Sequence, residues 1–226
     1  AHTEGSSVLP MQVGVNARAA IASCDMAETG LISLRDVFEG PYGYLPMFEG
    51  EYDLGPILAQ LGRLWRVTEL SHKPYPSGRA THGGIEGLMR LRAEHGFAAE
   101  EVEKVTVIGP QLICRLVDRP PLPNPGPSYA RLCMPFALAK VLQHGAPDLS
   151  HYRGAALSDP TTFALAQRVH MVRDDNPDPN IFAPQRVEVR LADGRTVGSD
   201  LPALLASPVR PLPRADAPAK FGRCME

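Results

Sequence analysis

The sequence predicts an α+β chain whose first part is helical. Three observations carry this. Apolar residues recur at helical spacing over residues 14–28 and again from Arg79 toward Gly96. Residues 102–108 alternate loosely and residues 187–191 cleanly, as strands do. Asp193-Gly194 then supplies a strong hairpin turn into Thr196-Val197. The expected order is a helical segment to about residue 96, an α+β segment to about residue 200 and a Pro-rich return, with no internal repeat.

Taken in order, Val15, Ala19, Ala22 and Met26 form one stripe of the first helix, and Gly30 is its C-terminal stop signal. Ser33 is placed to cap a short helix over 34–39, ended by Gly40-Pro41. Residues 42–46 read as loop or a single turn, 54–61 as a short helix and 65–70 as strand-like. Two prolines bar regular helix from residues 73–78, because each fixes φ and removes a donor. Thr81, Ile85, Leu88, Met89 and Arg92 then share a helical face that stops near Gly96. Residues 120–127 are a proline-rich loop. Pro135 sits where a first-turn proline belongs, opening a helix apolar on most sides that Gly145 ends. A further helix over 160–167 follows Asp159, and a strand is expected over 169–172.

The chain has 226 residues and a mass of 24.5 kDa, enough for a core that buries about 70% of the unfolded surface. Hydrophobic residues make up 44% and charged residues 21%, which excludes wholesale disorder. Lys and Arg total 23 against 25 Asp and Glu, so there is no global basic field to hold nucleic acid or an anionic membrane. A local anion site stays open. Apolar runs break well short of a membrane span, for example at Lys140. Cys24, Cys114, Cys133 and Cys224 form no Cys-x-x-Cys pair, which argues against a zinc ribbon or a disulfide framework and for a reducing cytoplasm. The sequence opens at Ala1 without a signal-peptide pattern and closes on what reads as a helix barely begun, so it is expected to be a piece of something longer.

The chemically informative segment is His72-Lys73-Pro74-Tyr75-Pro76-Ser77-Gly78-Arg79-Ala80-Thr81-His82. It concentrates two imidazoles, an ammonium and a guanidinium at a rigid loop-to-helix junction. Arg79 and His82, three residues apart, share a face. The helix start adds unpaired N–H donors, and the prolines before it restrict the loop. Physically this is a carboxylate or phosphate trap beside a titratable imidazole. The bland alternative, solvated cations on a connector, carries about equal weight from the residues alone.

Residues 73–82 resemble the Lys-Pro-Tyr-Pro…His signature of the MmgE/PrpD family, which includes 2-methylcitrate dehydratase, cis-aconitate decarboxylase and iminodisuccinate epimerase. Other pieces follow in order. Gln12 to Ala19 is similar to the family's Gly-x-x-x-Arg helix, residues 31–40 to its Leu…Phe-Glu-Gly turn, 128–145 to its buried helix and Asp193-Gly194-Arg195 to its hairpin. Pro211-Leu212 with Lys220-Phe221 resembles the segment that leads back to the helical domain.

The resemblance implies a partial helical domain over 1–96, an α+β lid domain over 97–206 and a return segment over 207–226, with the active site between the two domains. It implies cofactor-independent lyase or isomerase chemistry on a small di- or tricarboxylate, by proton abstraction next to a carboxylate. Lys73 and Arg79 would bind carboxylates or developing negative charge, and His82 would orient substrate or shuttle a proton. Tyr75 and Gln12 would line the pocket. Gly78 stands where members often carry Cys and the decarboxylase branch His, and Leu9 where many carry Lys. The family's N-terminal helical half is absent from the sequence, so this chain is expected to hold part of an active site and to turn over little alone. Its partner would be a complementary N-terminal half or, as family members tend to be homodimers, a second copy. The competing reading is a non-catalytic binding or assembly module of the same fold.

The remaining candidates are bland. His2, His95, His144, His151 and His170 lack metal-ligand spacing. Residues 174–180 superficially suggest a calcium loop, but no Gly stands at its sixth position and prolines interrupt it, so a solvated turn is expected. Gly83-Gly84 suits close packing or close substrate approach, while Cys133, Met134 and the lone Trp65 are expected in the core.

Overall fold

A computed structural model describes residues 8–225, which group into two compact units, 8–69 and 70–225. His2 and the side chains of Leu9 and Cys224 lie outside the described set.

In the first unit, α1 (Val8–Glu28) ends where Gly30 takes φ +88° and returns its N–H to the Ala27 carbonyl at 3.0 Å. Two short helices follow, α2 (Tyr44–Phe48) and α3 (Gly55–Leu58), the latter half the expected length. Residues 34–39, expected as a helix, form turns: the Asp36 carboxylate accepts the Glu39 amide at 2.9 Å, a local closure that competes with helical bonding. The strand-like 65–70 is a 3₁₀ turn at Arg66–Glu69, closed by the Thr68 hydroxyl on the Trp65 carbonyl at 2.7 Å and an Arg66–Glu69 ion pair at 2.8 Å. Strand propensity without a neighbouring strand has nothing to pair with. Among the described residues of this unit only Gly40 and Gly43 are buried. Trp65, expected as a core anchor, is therefore 65% exposed.

In the second unit, a 3₁₀ turn at Arg79–Thr81 runs into α4 (His82–His95), which Gly96 ends at φ +69°. The order is then β1 (Val102–Gly109), α5 (Gln111–Val117), α6 (Pro127–Ala130), α7 (Met134–His144), α8 (Pro160–Ala166), β2 (Val169–Arg173), β3 (Gln185–Leu191), β4 (Thr196–Leu201) and α9 (Asp216–Met225). The sheet order is β2-β1-β3-β4, with β1 and β2 parallel and the other pairs antiparallel. Parallel neighbours need a long crossover, which α5 to α8 provide. The β3–β4 turn forms as expected, Gly194 at φ +88° and the Asp193 carboxylate accepting the Arg195 amide at 2.9 Å. The helix α5, behind Pro110, is not anticipated by the sequence reading.

Val105, Val107, Val187 and Val189 of the sheet pack with Ile85 and Leu88 of α4 and with Met134 and Leu138 of α7 in one core. α7 is buried from Met134 to Leu142, and inside it Lys140 donates to the Thr162 hydroxyl at 2.7 Å. Asp159 caps α8 by accepting the Thr161 amide at 3.0 Å. α4 lies so close on the sheet that a Cβ at Gly87 would stand 2.5 Å from Val187 Cγ2. Gly83 and Gly84 likewise face Gln185 and Met134, so these glycines serve close packing.

Candidate active site

The site grows from the loop before α4. Ser77 and Thr81, four residues apart, share a hydroxyl hydrogen bond of 2.7 Å, and Thr81 Oγ1 also donates to the Gly78 carbonyl at 2.9 Å. The Gly78 amide donates to the Arg131 carbonyl at 2.7 Å, and a Cβ on Gly78 would stand 2.6 Å from Leu132 Cδ2. Gly78 thus lets the loop lie against the 131–132 backbone. The result is a fixed turn that hands Arg79 and His82 to the same side.

Arg79 donates to His82 Nδ1 at 3.1 Å, the contact that their three-residue spacing permits. A guanidinium only donates, so Nδ1 accepts and the ring proton of the neutral imidazole sits on Nε2. His82 is 2% exposed and Nε2 makes no hydrogen bond. Burial first, then the neighbouring Arg79 charge, push the imidazole down to about 3, with Lys73 and Lys220 adding to the effect and the Ser77 backbone opposing it. At neutral pH the ring is therefore uncharged. Tyr75 packs edge-on against it, ring centroids 5.2 Å apart, and burial followed by the Glu86 charge pushes the phenol up to about 12. Burial also lowers Arg79, half-buried here, while Glu86 opposes that shift.

Lys73 is exposed, and its carbonyl accepts from Lys220 Nζ of α9. Lys73, Tyr75, Arg79 and His82, all singled out by sequence, are thus joined by Lys220, which sequence reasoning misses. No local signal could have found it, since 147 residues of separation carry no periodicity. Glu86 is missed as well, although its place one turn after His82 is readable from helical spacing. Gln12 lies exposed on α1 in the 8–69 unit. His144 and His151 stack at 4.2 Å, and no group of three or more His, Cys, Asp or Glu side chains is placed to hold a metal ion among the described residues.

Chemically, this sets the Arg79 guanidinium, a carboxylate-binding group, beside a neutral imidazole whose Nε2–H is buried and unpaired. Helices packed on one mixed four-stranded sheet, with Arg79 at the start of α4 and Lys73 in the loop before it, make this an α+β domain. A model of the MmgE/PrpD C-terminal domain matches residues 75–226, and the chain belongs to that family. No curated protein matches it. Among the described residues no helix is long and apolar enough to cross a membrane.

Proposed function

We propose that the chain carries part of the active site of a cofactor-independent lyase or isomerase, 2-methylcitrate dehydratase-like, acting on a small di- or tricarboxylate. The observation that carries this reading is the buried, uncharged His82, its Nδ1 held by Arg79 and its Nε2 buried without a hydrogen-bond partner, near the charges of Arg79, Lys73 and Lys220. Such chemistry removes a proton next to a carboxylate, and the enolate-like charge that develops needs donors fixed in advance. Arg79 retains donors beyond the one given to His82, and with Lys73 it binds substrate carboxylates. His82 Nε2–H serves the oxygen on which charge accumulates. When carboxylates neutralise the surrounding cations, the charge contribution to the depressed imidazole is relieved while burial, the larger cause, remains. Tyr75 walls the site beside His82.

The partner in this reading is a complementary N-terminal half or a second copy, in a cytoplasmic setting. Isothermal titration of the 226-residue chain with citrate tests the site. Wild type is expected to bind, and the Lys73→Ala, Arg79→Ala double variant to lose that binding. Unchanged affinity would sink the assignment.

A second reading, a non-catalytic assembly module, is favoured by the apolar surface of residues 8–69, where Met11, Ile32, Phe48 and Trp65 are all more than half exposed. Activity of the chain reconstituted with its partner excludes that reading.

A further inference from the structure

Among the described residues Glu86 is the buried carboxylate near the cations of this site, and the proposed function leaves it unused. It stands one helical turn beyond His82 and is 8% exposed. Its Oε1 takes Arg90 at 3.1 Å and Arg210 at 2.5 Å, and its Oε2 accepts the Leu205 amide at 3.3 Å. Arg210 also donates to the Ala203 carbonyl at 3.1 Å, and its amide bonds the Ser207 carbonyl at 3.0 Å. The stretch 203–210 is therefore a closed turn bolted to α4 through one carboxylate.

At the centre of that turn is Ala206. It is 1% exposed and, at φ +64°, is the only non-glycine with positive φ among the described residues. A left-handed alanine is strained and persists only where its surroundings impose it. Here it aims the Ala206 carbonyl at the His72 amide, 2.9 Å away. Lys73 is the next residue.

We propose that Glu86 is a positioning residue: through Leu205 and Arg210 it fixes the 203–210 turn, and through the Ala206–His72 hydrogen bond it sets the place of Lys73. The proposal takes from the proposed function only the meaning of Lys73 as a carboxylate ligand. An ion pair that merely stabilised the fold would act on the whole domain. This one has a defined address.

The test is hydrogen exchange by NMR on the 226-residue chain, read at the His72 amide against the β1 and β3 amides, together with citrate titration. Glu86→Gln is expected to speed exchange at His72 at least about tenfold, leave the two strands unchanged and weaken citrate by about tenfold. Arg210→Met, at a partly exposed partner, is expected to do the same, and Arg210→Lys to restore most of the protection. Should Glu86→Gln fail to fold, the Arg210 pair decides the matter. Unchanged exchange at His72 in folded variants overturns the proposal, as does loss of protection spread evenly over the strands. If wild type does not bind citrate, the substrate reading fails while the His72 readout still decides the role of Glu86.

Discussion

At the scale of single residues, the candidate site is governed by where charge is tolerated. His82 has been taken out of water beside a guanidinium, so its protonated form is disfavoured twice over. This has a sign. A histidine whose folded value falls from 6.5 to about 3 binds fewer protons folded than unfolded within that window. Its contribution to stability is complete above pH 6.5, falls as pH drops through the window and is gone below about pH 3. The slope attributable to one such group is about 1.4 kcal/mol per pH unit. His82→Asn retains an acceptor for Arg79 but does not titrate. Urea denaturation of wild type and His82→Asn at half-unit pH steps is expected to give a shallower acid dependence for the variant, by up to that slope. Parallel curves for the two proteins would show that His82 is not held neutral by its surroundings.

At the scale of elements, the glycines of α4 set the distance between the site helix and the sheet. Alanine at Gly87 gains about 1 kcal/mol of helix propensity, yet its Cβ would meet Val187 Cγ2 at 2.5 Å and Leu201 Cδ1 at 3.0 Å. Overpacking of this kind costs about 1–3 kcal/mol, so the clash outweighs the propensity. Gly87→Ala is expected to lower the thermal midpoint and, by displacing α4, to shift the NMR signals of His82 one turn away. A variant as stable as wild type with an unmoved His82 would mean the helix has slack. The same elements show what sequence made legible. Where a local rule acts alone, the reading holds: Gly96 stops α4, Asp159 starts α8, Asp193-Gly194 turns the hairpin, and alternation marks β1 and β3. Arg79 and His82 could be paired from spacing alone. Lys220, Arg210 and Ala206 could not, because they meet Lys73, Glu86 and His72 from far along the sequence, where no local spacing rule applies. Residues 34–39 and 65–70 diverge because a side chain there closes on its own backbone before helix or strand is complete.

For the whole molecule, the two units differ in what they bury. Residues 70–225 own a core that joins α4, α7 and the sheet. The described residues of 8–69 own none, and the apolar side chains of α1 are not confined to one stripe: Met11 and Val15 share a face, Val13 and Ile21 lie on others, and all four are exposed. A large apolar side chain left in water forgoes about 1.5–3 kcal/mol. Domain-level stability is about 5–15 kcal/mol, so a few such residues decide whether the segment is ordered. The expected consequence is a steep difference in local stability within one chain. Hydrogen exchange with mass spectrometry on the isolated 226-residue chain should find peptides from 8–69 exchanging within the earliest time points, while β1 and β3 stay protected. If the proposed complementary polypeptide covers these apolar side chains, its addition should slow exchange in α1. If α1 in the isolated chain were as protected as β1, its apolar side chains would already be covered, and native mass spectrometry would tell self-association, by a doubled mass, from packing within one chain.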